Sequence, residues 1–253
     1  MKAKTSLSIL ATAAALLTLS VPVLASQQTD SRIESSANET YVFKTYLKTD
    51  DIKIHAKDGA VILTGTVAES YHKSLAQETV AGLPGVTSVD NRLETKAPSS
   101  TANSDAWLRD KVKLTLSFHR SVSALATEVV VKDGVVTLRG IAESDAQKEL
   151  TSEYTKDVEG VKNVVNEIIV SKSPQRSRTV GETIDDSSIT AQVKMALLYH
   201  RSTSVLNTTV TTKLGVVTLD GKARNHTEKN LVTKLAGDVK GVKEVKNLMS
   251  VEP

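Results

Sequence analysis

The sequence predicts an α+β protein of three tandem αββαβ units, each a three-stranded sheet with two helices on one face. Three observations carry that prediction. One stretch occurs three times, as KDGAVILTG at 57–65, KDGVVTLRG at 132–140 and KLGVVTLDG at 213–221. Each copy is followed, 20 residues after its closing glycine, by Gly-Val (Gly85-Val86, Gly160-Val161, Gly241-Val242) and then by Asn91, Asn166 or Asn247. Ahead of the second and third copies, apolar residues recur every four positions: Leu108, Val112 and Leu116, then Ile189, Val193 and Leu197. That spacing places each set on one helix face. Self-similarity at so many fixed positions defines an array of small domains.

The chain is expected to begin with an export signal. Lys2 and Lys4 precede an apolar run from Leu7 to Leu19, and Val23 and Ala25 suit signal-peptidase cleavage after Ala25. The run is too short to span a bilayer comfortably, so an uncleaved anchor is the weaker reading. In a Gram-negative host the mature chain is expected in the periplasm. The expected divisions are a signal peptide at 1–25, a flexible leader at 26–35 and a first unit at 36–97. A linker at 98–103, a second unit at 104–171, a linker at 172–185 and a third unit at 186–253 follow. With no cysteine in 253 residues, disulfides, thiolate metal sites and a Cys nucleophile are excluded, as is lipid attachment through an N-terminal cysteine.

The first unit opens with a short helix expected near Ala37 to Lys48, its apolar face made by Val42, Tyr46 and Leu47. Val42 lies 17 residues before Gly59, against 22 for Val112 and Val193 before their glycines, so unit one is expected to have a loop five residues shorter. Ser104 is the expected cap of the helix in unit two, and Ser187 or Ser188 in unit three. Strands are expected at 51–56, 127–131 and 208–212, with Ile54, Val129 and Val210 on the buried face. Asp58-Gly59 and Asp133-Gly134 are strong hairpin turns, because such a turn needs positive φ. Leu214 breaks the pattern, and the third turn is expected to differ in type.

Each closing glycine is expected to end its hairpin. A second helix then buries Leu75, Thr79 and Leu83, or Leu150, Tyr154 and Val158, or Leu231, Leu235 and Val239. Ser144 with Gln147, and Asn225 with Glu228, read as capping boxes. The Gly-Val glycine is expected in the left-handed cap of this helix. A continuous last strand follows, at 86–93, 161–170 and 242–251. Nine of the 12 glycines thus belong to the structural ladder: Gly59, Gly65, Gly85, Gly134, Gly140, Gly160, Gly215, Gly221 and Gly241. The opposite sheet face reads as polar, through Thr64, Thr66, Thr137, Arg139, Thr218 and Asp220.

The spacing Asp-Gly-x-Val-x-Leu-x-Gly, then about 20 residues, then Gly-Val-x-x-Val-x-Asn resembles the BON domain. Val89, Val164 and Val245 supply its second valine. Familiar members often have two units, and the lipoprotein branch carries a cysteine that this chain lacks. The resemblance implies an αββαβ fold, no catalytic activity, and roles in phospholipid binding and envelope integrity under osmotic stress.

The residues themselves point to no enzyme. His55, His72, His119, His200 and His226 show no metal-ligand spacing, and neither catalytic residues nor a cofactor or metal site is expected. His119 and His200 do correspond, within FHRS at 118–121 and YHRS at 199–202. Such a motif is either a pH sensor or phosphate contact, or a cation favoured at a helix C-terminus. Nucleic acid is not an expected partner, because no aromatics interleave the basic residues. Charge is uneven: net −2 for 26–97, −1 for 98–173 and +4 for 174–253. Arg201, Lys222, Arg224, Lys229, Lys234, Lys240, Lys243 and Lys246 are therefore the candidate contacts to an anionic phospholipid surface, with Arg176 and Arg178 nearby. The alternative is a chaperone-like or scaffolding role toward envelope proteins.

Overall fold

The computed structural model describes residues 21–96, 104–171, 183–203 and 208–251. Most of the expected signal peptide, the first linker and most of the second, with Arg176 and Arg178, lie outside them. Unit one contains α1 (Val21–Glu39), α2 (Tyr41–Thr45), β1 (Asp51–Lys57), β2 (Ala60–Val67), α3 (Ser70–Ala81), β3 (Ser88–Asn91) and β4 (Glu94–Thr95). Unit two contains α4 (Asp105–Phe118), β5 (Thr127–Lys132), β6 (Val135–Ala142), α5 (Asp145–Lys156), β7 (Asn163–Asn166) and β8 (Ile169–Val170). Unit three contains α6 (Asp186–Tyr199), β9 (Thr208–Lys213), β10 (Val216–Ala223), α7 (His226–Asp238), β11 (Glu244–Asn247) and β12 (Ser250–Val251).

In each unit the second strand is central. It pairs antiparallel with the first and parallel with the last, as β2 does with β1, β3 and β4. The last strand is not continuous. Its asparagine turns inward and divides it: Asn91 Nδ2 donates to Lys73 O and Gln77 Oε1, and Leu93 N donates to Asn91 Oδ1. Asn166 and Asn247 repeat the arrangement on α5 and α7.

The nine ladder glycines all have positive φ, but two sets act otherwise than expected. Gly65 and Gly140 sit inside their strands. A Cβ there would lie 2.0 Å from Asp51 O and 1.9 Å from Ala126 O, so only glycine admits the close backbone approach. Gly85, Gly160 and Gly241 do not cap the helices, whose C-caps are Gly82, Asp157 and Val239. They turn the chain into the last strand instead. The third hairpin turn is of the same type as the others: Leu214 has φ 54°, beside 51° and 53° at Asp58 and Asp133.

Residues 26–35 are not a flexible leader. They lie within α1, which buries Ile33 and Ala37. Asp30 accepts hydrogen bonds from the turn amides of Asp58 and Gly59. Asp105 does the same for Asp133 and Gly134, and Asp186 for Leu214 and Gly215. The separation from aspartate to glycine is 29 residues each time. Unit one therefore has no shortened loop, and Ala37, not Val42, corresponds to Val112. The opening helix is interrupted where Thr40 caps α2, accepting from Phe43 N and donating to Ala37 O.

Ser104 caps α4, and Ser144 and Asn225 cap α5 and α7 as expected; Gln147 and Glu228 reach back to the amides of Glu143 and Arg224, one residue before each cap. The cap of α6 is Asp185, not Ser187 or Ser188. Of the residues expected to face the core from unit two's second helix, Val158 is buried and Tyr154 packs against the core, but Leu150 does not. Thr151 and Thr155 face the core, each hydroxyl donating 2.7 Å to the carbonyl four residues back, while Leu150 is exposed.

The three units do not hold three separate cores. Unit two has one centred on Leu108, Val112, Leu116, Val136 and Leu138. Units one and three share a second, joined by Leu114 and Phe118 from α4. The shared core is built around α6, which packs on α3 of unit one, α4 of unit two and its own α7. Ser188, Ala191, Gln192 and Met195 are buried together with the expected stripe, so this helix is covered nearly all round. Asp185 ties it to unit one by accepting from Tyr41 N as well as Ser188 N. Burial alone would raise its pKa, but these bonds and the Ser187 and Ser188 hydroxyls hold it below the ordinary value. Lys194 adds a 2.7 Å ion pair to Glu78.

Candidate functional site

The eight basic candidates of unit three do not form one surface. Two are spent on contact with unit two. Lys240 Nζ donates to Ser117 O, and burial pushes its pKa down. Arg201 Nη2 donates to Lys156 O, Val158 O and Val161 O, at the C-terminus of α5. Arg224 is paired with Glu228 and also reaches Ser202 O. Lys229 bonds Met249 O, and Lys234 is exposed on α7, on the helix side of the sheet.

The remaining three lie on the sheet side. Alternation in β10 buries Val217, Leu219 and Ala223 and turns Thr218 and Lys222 outward. Lys246 is exposed on the neighbouring strand, across from Thr218. Lys243 is at the turn end, where Nζ donates to Leu214 O. The sequence reading missed Lys213, which ends β9 on the same face beside Val216. Asp220 and Glu244 share this face, leaving an excess of positive charge. Two leucines border it: Leu214, 75% exposed at the turn, and Leu248, 65% exposed after β11. Units one and two carry Asp58 and Asp133 at the first position, and Arg92 and Glu167 at the second. Glu167 reaches across its sheet's outer face to Arg139, which fixes the side on which this position lies.

The outer face of unit two carries Thr137 and Arg139 as expected, but it is mixed and not wholly polar. Val130, Thr137 and Val165 align across its three strands, and Ile141 pairs with Ile169. Ile141 is 54% and Ile169 68% exposed.

The FHRS and YHRS motifs meet in a reciprocal clasp between units two and three. Arg120 N donates to Asp238 O and Lys240 N to Phe118 O; Glu159 N donates to Tyr199 O and Arg201 N to Asp157 O. The end of each opening helix thus pairs with the end of the other unit's second helix, and the chain bridges antiparallel at both places. Arg120 Nη2 donates to Gly237 O, Val239 O and Val242 O, matching Arg201 on α5. The motif does supply a cation to a helix C-terminus, but the cation is the arginine and the helix belongs to the other unit. His119 stacks on Tyr154 at 3.8 Å, and Tyr154 Oη donates to Asp238. Burial would raise the Asp238 pKa, but the His119 ring and the Ser121 and Tyr154 hydroxyls hold it down.

Unit one is excluded from this clasp by its sequence. It has Lys44-Thr45 in place of His-Arg and Gly82 in place of Asp157 or Asp238. Pro84, which has no N–H, stands where Glu159 and Lys240 donate. That joint presence in two units and absence from the third was the signal available in the sequence.

Among the described residues no helix is long and apolar enough to cross a membrane. No group of three or more His, Cys, Asp or Glu among them is placed to hold a metal ion.

The sequence profile of the BON domain matches residues 29–97, 104–172 and 185–253, and the chain belongs to the BON-domain family. The first match includes the aspartate clamp of α1. Osmotically-inducible protein Y of Escherichia coli strain K12 is 32% identical over 143 residues, covering 56% of this chain and 70% of that protein. The 21 kDa hemolysin of Actinobacillus pleuropneumoniae is 29% identical over 119 residues, 46% of this chain and 61% of that one. Outer membrane lipoprotein DolP of Haemophilus influenzae is 30% identical over 110 residues, 43% and 56% of the two chains.

Proposed function

We propose that this is a non-enzymatic, exported BON-repeat protein that binds anionic phospholipid surfaces in the periplasm and supports the envelope under osmotic stress. The names of its relatives, one osmotically inducible and one an outer membrane lipoprotein, support the setting. The observation that carries the lipid reading is the exposed Leu214 and Leu248 beside Lys213, Lys222, Lys243 and Lys246 on unit three. Exposed leucines among lysines suit an interface that is anionic outside and apolar beneath. Four lysines against two carboxylates leave an excess of two charges, contributing about 2 kcal/mol near an anionic bilayer, or about 30-fold in partitioning. The chain is expected to float with vesicles containing phosphatidylglycerol and not with pure phosphatidylcholine, and to lose binding in salt. Reversing Lys213, Lys222 and Lys246 to glutamate is expected to abolish it; equal flotation of that variant would overturn the site.

The outer face of unit two favours a second reading, a chaperone-like or scaffolding role. Val130 and Val165 on either side of Thr137, and Ile141 beside Ile169, are two exposed apolar pairs on one sheet face, separated by the Arg139–Glu167 ion pair, and an unfolded envelope protein could settle on them. Suppression of a client's aggregation, insensitive to moderate salt and weakened by Ile141→Ser with Ile169→Ser, would support it. Unchanged suppression by that double variant would sink it.

A further inference from the structure

We propose that the clasp between units two and three is a proton-operated latch, with His200 as the group that takes up the proton. The ring is 8% exposed and sits on the bridge itself. Its Nδ1 accepts a 3.1 Å hydrogen bond from Ser202 N, which requires that nitrogen to be unprotonated. The neutral ring therefore carries its proton on Nε2, which has no hydrogen-bond partner and lies 3.6 Å from Asp157 Oδ2. A second proton must go onto Nδ1. There it faces the Ser202 N–H, and that bond breaks.

The groups around the ring act in opposite senses. Asp157, at the end of α5, favours the charged form; Arg201 and His119 oppose it. Beyond His119, at 1% exposure, are Tyr154 of α5 and Asp238 of α7, already engaged with Ser121 and Tyr154. Arg120 and Lys240 lie at the other bridge, and Lys111 of α4, over the Tyr199 ring, pairs with Glu159 beside this one.

Burial is the largest influence on His200 and lowers its pKa from the ordinary 6.5; Asp157 only partly offsets it. The sign follows. Above that ordinary value the ring is neutral with the latch closed or open, and the clasp has its full stability. Below it, the opened ring takes a proton that the closed ring resists, so closure is progressively lost as pH falls.

The chain has no native cysteine, so labels can be placed at will. Ala146→Cys on α5 and Thr227→Cys on α7, both exposed, would carry a donor and acceptor dye on the full chain. Energy transfer is expected to fall reversibly between pH 7.5 and pH 5, with a midpoint below the ordinary histidine value. His200→Gln, whose Oε1 keeps an acceptor for Ser202 N, is expected to hold transfer constant. Asp157→Asn removes the group that favours protonation of the closed ring, so the closed latch resists the proton more strongly and the midpoint is expected to move higher, toward the ordinary histidine value. His72, also buried but in unit one, serves as the control, and His72→Gln should leave the response intact. Transfer that stays constant in the parent chain, a response that survives in His200→Gln, or a midpoint lowered by Asp157→Asn would overturn the latch.

Discussion

Leu214 occupies a left-handed backbone position that glycine, asparagine and aspartate adopt far more readily. Its side chain is mostly in solvent, so burial gives back little of a cost of about 1 kcal/mol. Leu214→Asn is therefore expected to raise stability by about 1 kcal/mol, read as a higher urea midpoint with an unchanged m-value. The same variant is expected to weaken flotation with anionic vesicles. A leucine kept in a strained, exposed place makes sense where it meets an apolar phase. The departure was visible in the sequence as Leu-Gly in place of Asp-Gly. Its meaning was not, because the sequence suggested a different turn, whereas the clamp from Asp186 imposes the same one.

At the scale of elements, α1 shows how a helix escapes pattern reading. Its sequence from Ser26 to Glu39 is polar, and among the described side chains Ile33 and Ala37 alone form its buried stripe. The stronger signal was positional. Asp30, Asp105 and Asp186 stand at the same distance from their turn glycines, followed each time by Ile33, Leu108 or Ile189. The carboxylate joins helix to hairpin because it accepts from two adjacent turn amides at once. Asp30→Ala is expected to cost about 2 kcal/mol, measured as a lower denaturant midpoint, while Asp30→Asn recovers part of the loss through its remaining acceptor. The exposure of Leu150 in α5 has a related cause. Threonines satisfy their hydroxyls on their own helix, so they can take buried positions that an apolar stripe seemed to claim for Leu150.

At the scale of the whole molecule, the number of units, their element order, their hairpins and the caps of α5 and α7 were determined by the sequence alone. These depend on residues a few positions apart, and the threefold repetition separated them from accident. Only the tertiary structure decided which units share a core, which two are clasped, and which lysines stand exposed on one sheet face. Units this small bury too little surface alone, so α6 is covered from three sides and joins units one and three across the intervening second. Arg201 and Lys240 read as surface charge in the sequence, yet each is committed to a carbonyl of unit two, 45 and 123 residues away. The availability of a side chain is set by neighbours distant in the chain, and composition carries no record of them.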